Sequence, residues 1–78
     1  MNIRIEYCVV WNYKPRALSL RDELSEEFGY WAEIESGARG SFEVFVNGQL
    51  MFSKIELDRF PDEREIIRLI RENNNGDS

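Results

Sequence analysis

Apolar and polar residues alternate along Ile3–Tyr7, and this period of two predicts a β-strand. The alternation stops at Cys8–Tyr13, which we interpret as a loop. Pro15 fits the first turn of a helix, because its missing N–H would have no partner there. The apolar positions that follow recur every three or four residues and predict an amphipathic helix of about four turns, with Gly29 just past its end. These positions are Ala17, Leu20, Leu24 and Phe28.

Three further segments indicate strands. They are Tyr30–Glu35, Phe42–Val46 and Leu50–Lys54, and Ser36–Gly40 connects the first two. Asn47-Gly48 is a strong signal for a tight hairpin, because a type I′ turn needs positive φ at both central residues. We therefore expect the last two strands to pair in an antiparallel manner.

The remaining chain predicts one more helix and a tail. The segment Leu57–Phe60 has no regular pattern, and Pro61 and Asp62 are expected to start the helix. The apolar face of this helix consists of Ile66, Ile67, Leu69 and Ile70. Residues 73–78 are polar and are expected to form a flexible tail beyond a single domain of residues 1–72.

The predicted order β-α-β-β-β-α indicates an α+β fold with a mixed four-stranded sheet and two helices. The first helix connects two strands as a crossover, so these strands should be parallel and the connection right-handed. Two helices can cover one face of such a sheet.

A two-residue hairpin loop also predicts which residues share a sheet face. On one face, it pairs Val46 with Gln49 and Val44 with Met51. On the other face, it pairs Phe45 with Leu50 and Glu43 with Phe52. Both faces then carry large apolar groups, which suggests that a protein partner or a second copy of the chain covers one of them. The alternative is scattered surface apolar residues of no special role.

Composition excludes several classes of function. Hydrophobic residues make up 42% of the 78 residues, which indicates a globular chain. A net charge of −5 disfavours nucleic acid as a partner, and no apolar run reaches membrane-spanning length. One cysteine and no histidine disfavour an internal disulfide, a zinc site and histidine-dependent hydrolase chemistry. The first residues lack signal-peptide features, so we expect the cytoplasm, where the thiol stays reduced.

Cys8 is the residue with the clearest chemical potential. It follows the first predicted strand and precedes the first helix, whose N-terminal N–H groups and dipole favour a thiolate. Lys14 and Arg16 add positive charge nearby, and the thiolate is the reactive form of cysteine. The alternative interpretation is a small, half-buried apolar residue at the end of a strand.

The segment Tyr7-Cys8-x-x-Trp11-x-Tyr13-Lys14-Pro15 resembles the redox loop of selenoprotein W and its Rdx relatives, where a second cysteine or selenocysteine stands at the position of Trp11. Further matches follow in the same order along essentially the whole chain: Gly40-Ser41-Phe42-Glu43-Val44, Asn47-Gly48, Phe52-Ser53-Lys54 and Phe60-Pro61. The resemblance implies a small thioredoxin-like fold. It also implies thiol or selenol redox chemistry that is often linked to glutathione.

Trp11 is the important departure from this pattern. A dithiol mechanism needs a second thiol to resolve the mixed disulfide, and tryptophan cannot supply one. The resemblance therefore implies at most monothiol chemistry at Cys8, with glutathione as a thiol co-substrate rather than a bound cofactor. Trp11 itself can pack on the end of the sheet, cover Cys8 or recognise a ligand. Tyr13 and Lys14 are the other loop neighbours of this candidate site.

Two functions therefore stand at this stage. The first is a cytoplasmic monothiol redox protein that contributes to cell redox homeostasis through Cys8. It would be a monothiol oxidoreductase if it catalyses repeated thiol exchange. The second is a redox-inactive interaction module that binds a protein, or a second copy of itself, through the apolar sheet face or the Cys8–Tyr13 loop.

Overall fold

The computed structural model describes residues 1–76, with four strands and three helices in that range. The strands are β1 (Ile3–Tyr7), β2 (Glu33–Ser36), β3 (Phe42–Val46) and β4 (Gln49–Ser53), and the helices are α1 (Lys14–Phe28), α2 (Lys54–Leu57) and α3 (Glu65–Gly76). The sheet order is β2-β1-β3-β4, in which β1 and β2 are parallel and the other pairs antiparallel. The predicted α+β class and mixed four-stranded sheet are confirmed.

Helix α1 begins and ends where its sequence predicts. Pro15 lies in its first turn, and Gly29 caps its end in the left-handed region with φ 74°. The Gly29 N–H donates to the Ser25 carbonyl at 2.9 Å. Ala17 and Leu24 are fully buried on the apolar side of the helix.

Strand β2 is shorter at its start than the predicted Tyr30–Glu35. Pairing with β1 begins at Glu33, which lies opposite Arg4. The residues before Glu33 are not paired with β1 and are therefore not part of the strand. Tyr30 and Trp31 are exposed in the connection from α1.

The β3–β4 hairpin contains a register shift that the sequence analysis missed. The pairs Phe45–Leu50 and Val46–Gln49 are as predicted, but Val44 pairs with Phe52 and Glu43 with Ser53. The predicted pairs Val44–Met51 and Glu43–Phe52 are wrong, because Met51 is an extra residue in a β-bulge. A single extra residue turns every following side chain to the opposite face.

The shift moves Phe52 into the core, where it is buried, and brings Ser53 opposite Glu43. On the opposite face, the Arg4 guanidinium lies 4.3 Å from the centroid of the Phe45 ring. This face is therefore less apolar than the predicted register implied. A partner at the sheet face stays a prediction.

Helix α2 was not predicted: the last strand was expected to include Lys54, which instead begins the helix, and Leu57 was placed in an irregular segment. Ser53 caps its start: its Oγ accepts from the Glu56 N–H at 3.2 Å. Asp58 ends it with φ 57° in the left-handed region. The spacing Ser53-x-x-Glu56 is that of a capping box, and this signal could have identified the turn.

Helix α3 begins at Glu65 rather than at Pro61-Asp62. Arg64 has φ 63°, which no right-handed helix accommodates, so the helix starts after it. The helix continues to Gly76 and includes part of the predicted tail, since extending a formed helix costs little per residue. Residues 77 and 78 lie outside the described residues, and the division into domain and tail stays a prediction.

The buried apolar side chains form one cluster between the sheet, α1 and α3. Burial of each large side chain contributes roughly 1.5–3 kcal/mol relative to its exposure. The fully buried large side chains include Ile5, Leu24, Phe42, Ile66 and Ile70. Within residues 1–76, none of the helices combines the length and apolar character that crossing a membrane requires.

The start of α3 generates a pH prediction. Arg59 donates to both carboxylate oxygens of Glu65, at 2.7 and 2.9 Å, and this contact lowers the pKa of Glu65 from 4.5 to about 2. A carboxylate with a lowered folded-state pKa stabilises the fold above pH 4.5 and loses that contribution as the pH falls toward 2. Glu65→Gln should therefore flatten the dependence of the unfolding free energy on pH between 5 and 2. Urea unfolding at several pH values measures this slope.

The exposed Glu63 lies in the same turn, and Glu63→Gln is the matched control. If both variants keep the wild-type slope, the Arg59–Glu65 contact does not carry the effect.

Candidate functional site

The loop Cys8–Tyr13 is a compact turn at the carboxyl end of β1. The Asn12 N–H donates to the Val9 carbonyl at 3.0 Å, and the Tyr13 N–H donates to the Cys8 carbonyl at 3.1 Å. Asn12 adopts φ 58°, a left-handed conformation that asparagine tolerates better than most residues. These bonds hold Cys8 between the end of the strand and the start of α1.

A second connection closes over the same edge of the sheet. The Cys8 N–H donates to the Ser41 carbonyl at 2.9 Å, and the Gly37 N–H donates to the Tyr7 carbonyl at 2.8 Å. Residues 37–41 therefore lie beside Cys8. The sequence alone predicts only a connection between two strands at residues 36–40.

Cys8 is buried, with 1% of its surface exposed, and it is a free thiol. The Trp11 N–H donates to its Sγ at 3.4 Å. Burial raises the pKa of the Cys8 thiol, whereas hydrogen bonding from the N–H groups of Gly40, Trp11 and Val10 lowers it. The charge of Arg39 lowers it further, and the net pKa lies below its ordinary value.

The positive charge that acts on the thiol differs from the predicted one. Arg39 comes from the β2–β3 connection, whereas the predicted sources were Lys14 and Arg16. Lys14 is exposed at the first position of α1. The guanidinium of Arg16 lies 4.0 Å from the centroid of the Phe60 ring instead.

Sequence reasoning could have found Arg39 and Gly40 by a topological argument. Because β2 is parallel to β1, its end and the connection after it lie at the same sheet edge as the end of β1. A residue between the end of β2 and the start of β3 is therefore close to Cys8.

Trp11 and Tyr13 begin a line of aromatic contacts that runs from the loop into the core. The Trp11 and Tyr13 rings meet edge to face with centroids 6.0 Å apart. Tyr13 contacts Phe60 at 4.7 Å, and Phe60 contacts the buried Phe42 at 5.4 Å. The Lys54 Nζ lies 5.4 Å from the Tyr13 ring centroid. The loop is therefore packed on the body of the protein, although the Trp11 side chain stays half exposed.

Glu43 anchors α2 and thereby positions Lys54 beside Tyr13. Its buried carboxylate accepts from the Ser53 hydroxyl at 2.5 Å and from the Lys54 N–H at 2.8 Å. It also accepts from the Phe42 N–H at 3.3 Å. The sequence analysis gave Glu43 no role, because the mispredicted register placed it opposite Phe52.

The site places the Cys8 sulfur within hydrogen-bond distance of the Trp11 N–H, and Gly40 and Val10 also lower the pKa of the thiol. Among residues 1–76, no group of three or more cysteine or acidic side chains is placed to hold a metal ion. The arrangement fits attack by a thiolate on a sulfur or another soft electrophile, because the N–H groups stabilise the negative charge of the sulfur.

Comparison with known proteins identifies relatives that match most of this chain. The sequence model of the Rdx family matches residues 2–72. The chain is 37% identical over 78 residues to "Migration and invasion enhancer 1" of Mus musculus, covering 99% of this chain and 68% of the relative. It is 36% identical over 73 residues to selenoprotein W of Ovis aries, covering 87% of this chain and 84% of the relative.

A solved structure agrees with these sequence relatives. The crystal structure of a selenoprotein W-related protein from Vibrio cholerae superimposes with a TM-score of 0.83 at 26% identity. The match covers 91% of this chain and 92% of that one.

The role of Glu43 is testable by truncation. Glu43→Ala leaves the Ser53 hydroxyl and the Lys54 N–H without their acceptor, and each unsatisfied buried group costs roughly 1–3 kcal/mol. We therefore expect the free energy of unfolding to fall by about 2–5 kcal/mol, as measured by urea denaturation.

The control is Glu35→Ala, an exposed glutamate of the same sheet, for which a change within about 0.5 kcal/mol is expected. Equal losses in the two variants would show that Glu43 does not anchor α2.

Proposed function

The chain belongs to the Rdx family, and from this premise we propose that it is a thiol redox protein in which Cys8 acts as a single nucleophilic thiolate. The observation that carries the proposal is the Trp11 N–H, which donates to the Cys8 sulfur at 3.4 Å, together with the N–H groups of Val10 and Gly40 and the charge of Arg39, which lower the pKa of the thiol. These groups favour the thiolate, which is the reactive form.

The proposed reaction is thiol–disulfide exchange with glutathione. The Cys8 thiolate attacks one sulfur of glutathione disulfide, forms a Cys8–glutathione mixed disulfide and releases one glutathione thiolate. The step is reversible: a glutathione thiolate that attacks the Cys8 sulfur's partner in the mixed disulfide restores the Cys8 thiolate and glutathione disulfide, so the state of Cys8 follows the ratio of glutathione disulfide to glutathione. Glutathione acts here as an external co-substrate, because Trp11 holds the position of the resolving residue.

We propose the cytoplasm as the site of action, and a contribution to cell redox homeostasis as the role. A protein with one thiol and no internal resolving residue depends on a pool of external thiol, and the cytoplasm keeps such a pool reduced.

The exposed apolar residues of the loop favour a second candidate function. Val9, Val10 and Trp11 are 59%, 69% and 51% exposed, directly beside a buried thiol. In this alternative the loop binds a protein partner or a second copy of the chain, and Cys8 fills space below it. Apolar groups concentrated in one loop are typical of such contacts. A partner is then bound equally well by the wild-type protein and by Cys8→Ser.

The experiment that tests the redox proposal measures alkylation of Cys8 by iodoacetamide as a function of pH in the folded protein. We expect a titration midpoint below the value of about 8.5 that is usual for a free thiol. Arg39→Gln should raise the midpoint, because it removes a positive charge that lowers the pKa of Cys8. Arg16→Gln is the matched control and should leave the midpoint in place, since its guanidinium lies over Phe60.

Mass spectrometry after incubation with glutathione disulfide should show one adduct on the wild-type protein and none on Cys8→Ser. A midpoint at or above the free-thiol value, without an adduct, rejects the redox proposal and favours the interaction module. Sedimentation at increasing protein concentration then shows whether the chain associates with itself.

A further inference from the structure

Cys8 is buried, although the residues that follow it in the loop are exposed to solvent. Cys8 is 1% exposed, while its neighbours Val9 and Val10 are largely exposed. The groups around the Cys8 side chain therefore keep solvent away from it. Two of these groups are the N–H of Trp11, 3.4 Å from Sγ, and the N–H of Gly40.

The side chain of Trp11 joins the two segments that flank the sulfur. The edge of its indole ring lies against the Cα atom of Gly40, so closely that a Cβ atom there would be 3.0 Å from Cζ3 and 3.4 Å from Cη2. Gly40 also has φ 78° and is buried. A single residue thus contacts the sulfur through its backbone and spans to the opposite segment through its ring.

The indole of Trp11 is only partly buried. About half of the Trp11 side chain is exposed, and its aromatic contact is one edge-to-face approach to Tyr13 at 6.0 Å. Such a contact contributes roughly 0.5–1.5 kcal/mol beyond the area that it buries. A ring held in this way can open in a minor conformer without disturbing the core.

We propose that Trp11 is the specificity-determining residue for thiol chemistry at Cys8. With the indole against Gly40, small reagents reach the sulfur more readily than bulky ones, and a disulfide as large as glutathione disulfide reacts when the ring is displaced. This inference rests on the proposed function, because it concerns access to the same thiol. It goes beyond that function by assigning a role to the side chain at the position where the family carries its second redox residue.

The exchange step itself is unchanged: the Cys8 thiolate forms a bond to one glutathione sulfur, and the other glutathione leaves as its thiolate. Trp11 contributes no electrons or protons. Its side chain affects the approach of the disulfide, whereas its backbone N–H supports the thiolate whatever side chain it carries.

The test compares the second-order rate constants of Cys8 with iodoacetamide and with glutathione disulfide. Trp11→Ala should raise the rate with glutathione disulfide by about tenfold or more, since minor open conformers are typically populated at 10% or less. The rate with iodoacetamide should rise less. The ratio of the iodoacetamide rate to the glutathione disulfide rate should therefore fall. Trp11→Phe, which keeps an aromatic ring, should lie between Trp11→Ala and the wild type.

A second pair of variants tests the contact between the indole ring and Gly40 without altering Trp11. Gly40→Ala places a methyl group against the indole and should raise the rate with glutathione disulfide in the same direction. Gly48→Ala is the matched control: Gly48 has φ 82°, so the backbone strain is similar, but a Cβ atom there meets nothing within 4 Å. Gly48→Ala should leave both rates unchanged.

The outcomes separate this inference from the proposed function. An unchanged ratio of the two rates in both Trp11→Ala and Gly40→Ala, at an unchanged and low titration midpoint, overturns the role of Trp11 and leaves the redox proposal standing. A free-thiol midpoint in every variant overturns the redox proposal, and the ratio still reports on whether Trp11 limits access. Near-ultraviolet circular dichroism confirms that each variant is folded, and if Trp11→Ala is not, Gly40→Ala decides.

Discussion

The site depends on two backbone hydrogen bonds that join the end of β1 to the β2–β3 connection. One runs from the Cys8 N–H to the Ser41 carbonyl and the other from the Gly37 N–H to the Tyr7 carbonyl. They extend the sheet pairing by one step beyond each strand. They hold the connection beside the loop, where hydrogen bonding from Gly40 lowers the pKa of the Cys8 thiol.

This constraint explains why the environment of the sulfur comes from parts of the chain that are far apart in sequence. The loop supplies the N–H groups of Val10 and Trp11, and the connection supplies Gly40 and Arg39. A β-α-β crossover brings the two together, because parallel strands end at the same edge of the sheet. The fold thereby opposes the effect of burial, which alone would raise the pKa of the thiol.

The separate segments that carry the family resemblance also meet in the structure. Phe42-Glu43-Val44 and Ser53-Lys54 are joined by the Glu43 carboxylate, which accepts from the Ser53 hydroxyl and the Lys54 N–H. Phe60 contacts Tyr13 of the loop. These segments therefore support the loop together, whereas Asn47-Gly48 lies at the hairpin turn.

The sequence predicts those parts of the fold that depend on local patterns. Helix α1 has a regular apolar period with proline and glycine at its ends, and the hairpin has Asn47-Gly48 at its turn, so both are recognisable without tertiary information. The bulge at Met51 is not recognisable in this way, because burial of Phe52 against the core selects the register. The contribution of Arg39 to the candidate site was missed for a similar reason, since it depends on a pairing between distant segments.

The resemblance places Trp11 where the family carries its second redox residue, and the atoms that contact the sulfur decide what this implies. At this position the contact with Cys8 is made by the backbone N–H of Trp11, and a backbone N–H is present with almost any side chain. With tryptophan at this position, the resolving sulfur is absent, whereas the backbone groups that favour the thiolate remain. Absence of the dithiol mechanism therefore does not by itself imply absence of thiol reactivity in this fold. The proposed monothiol chemistry of Cys8 rests on this difference, and the indole of Trp11 lies beside Gly40.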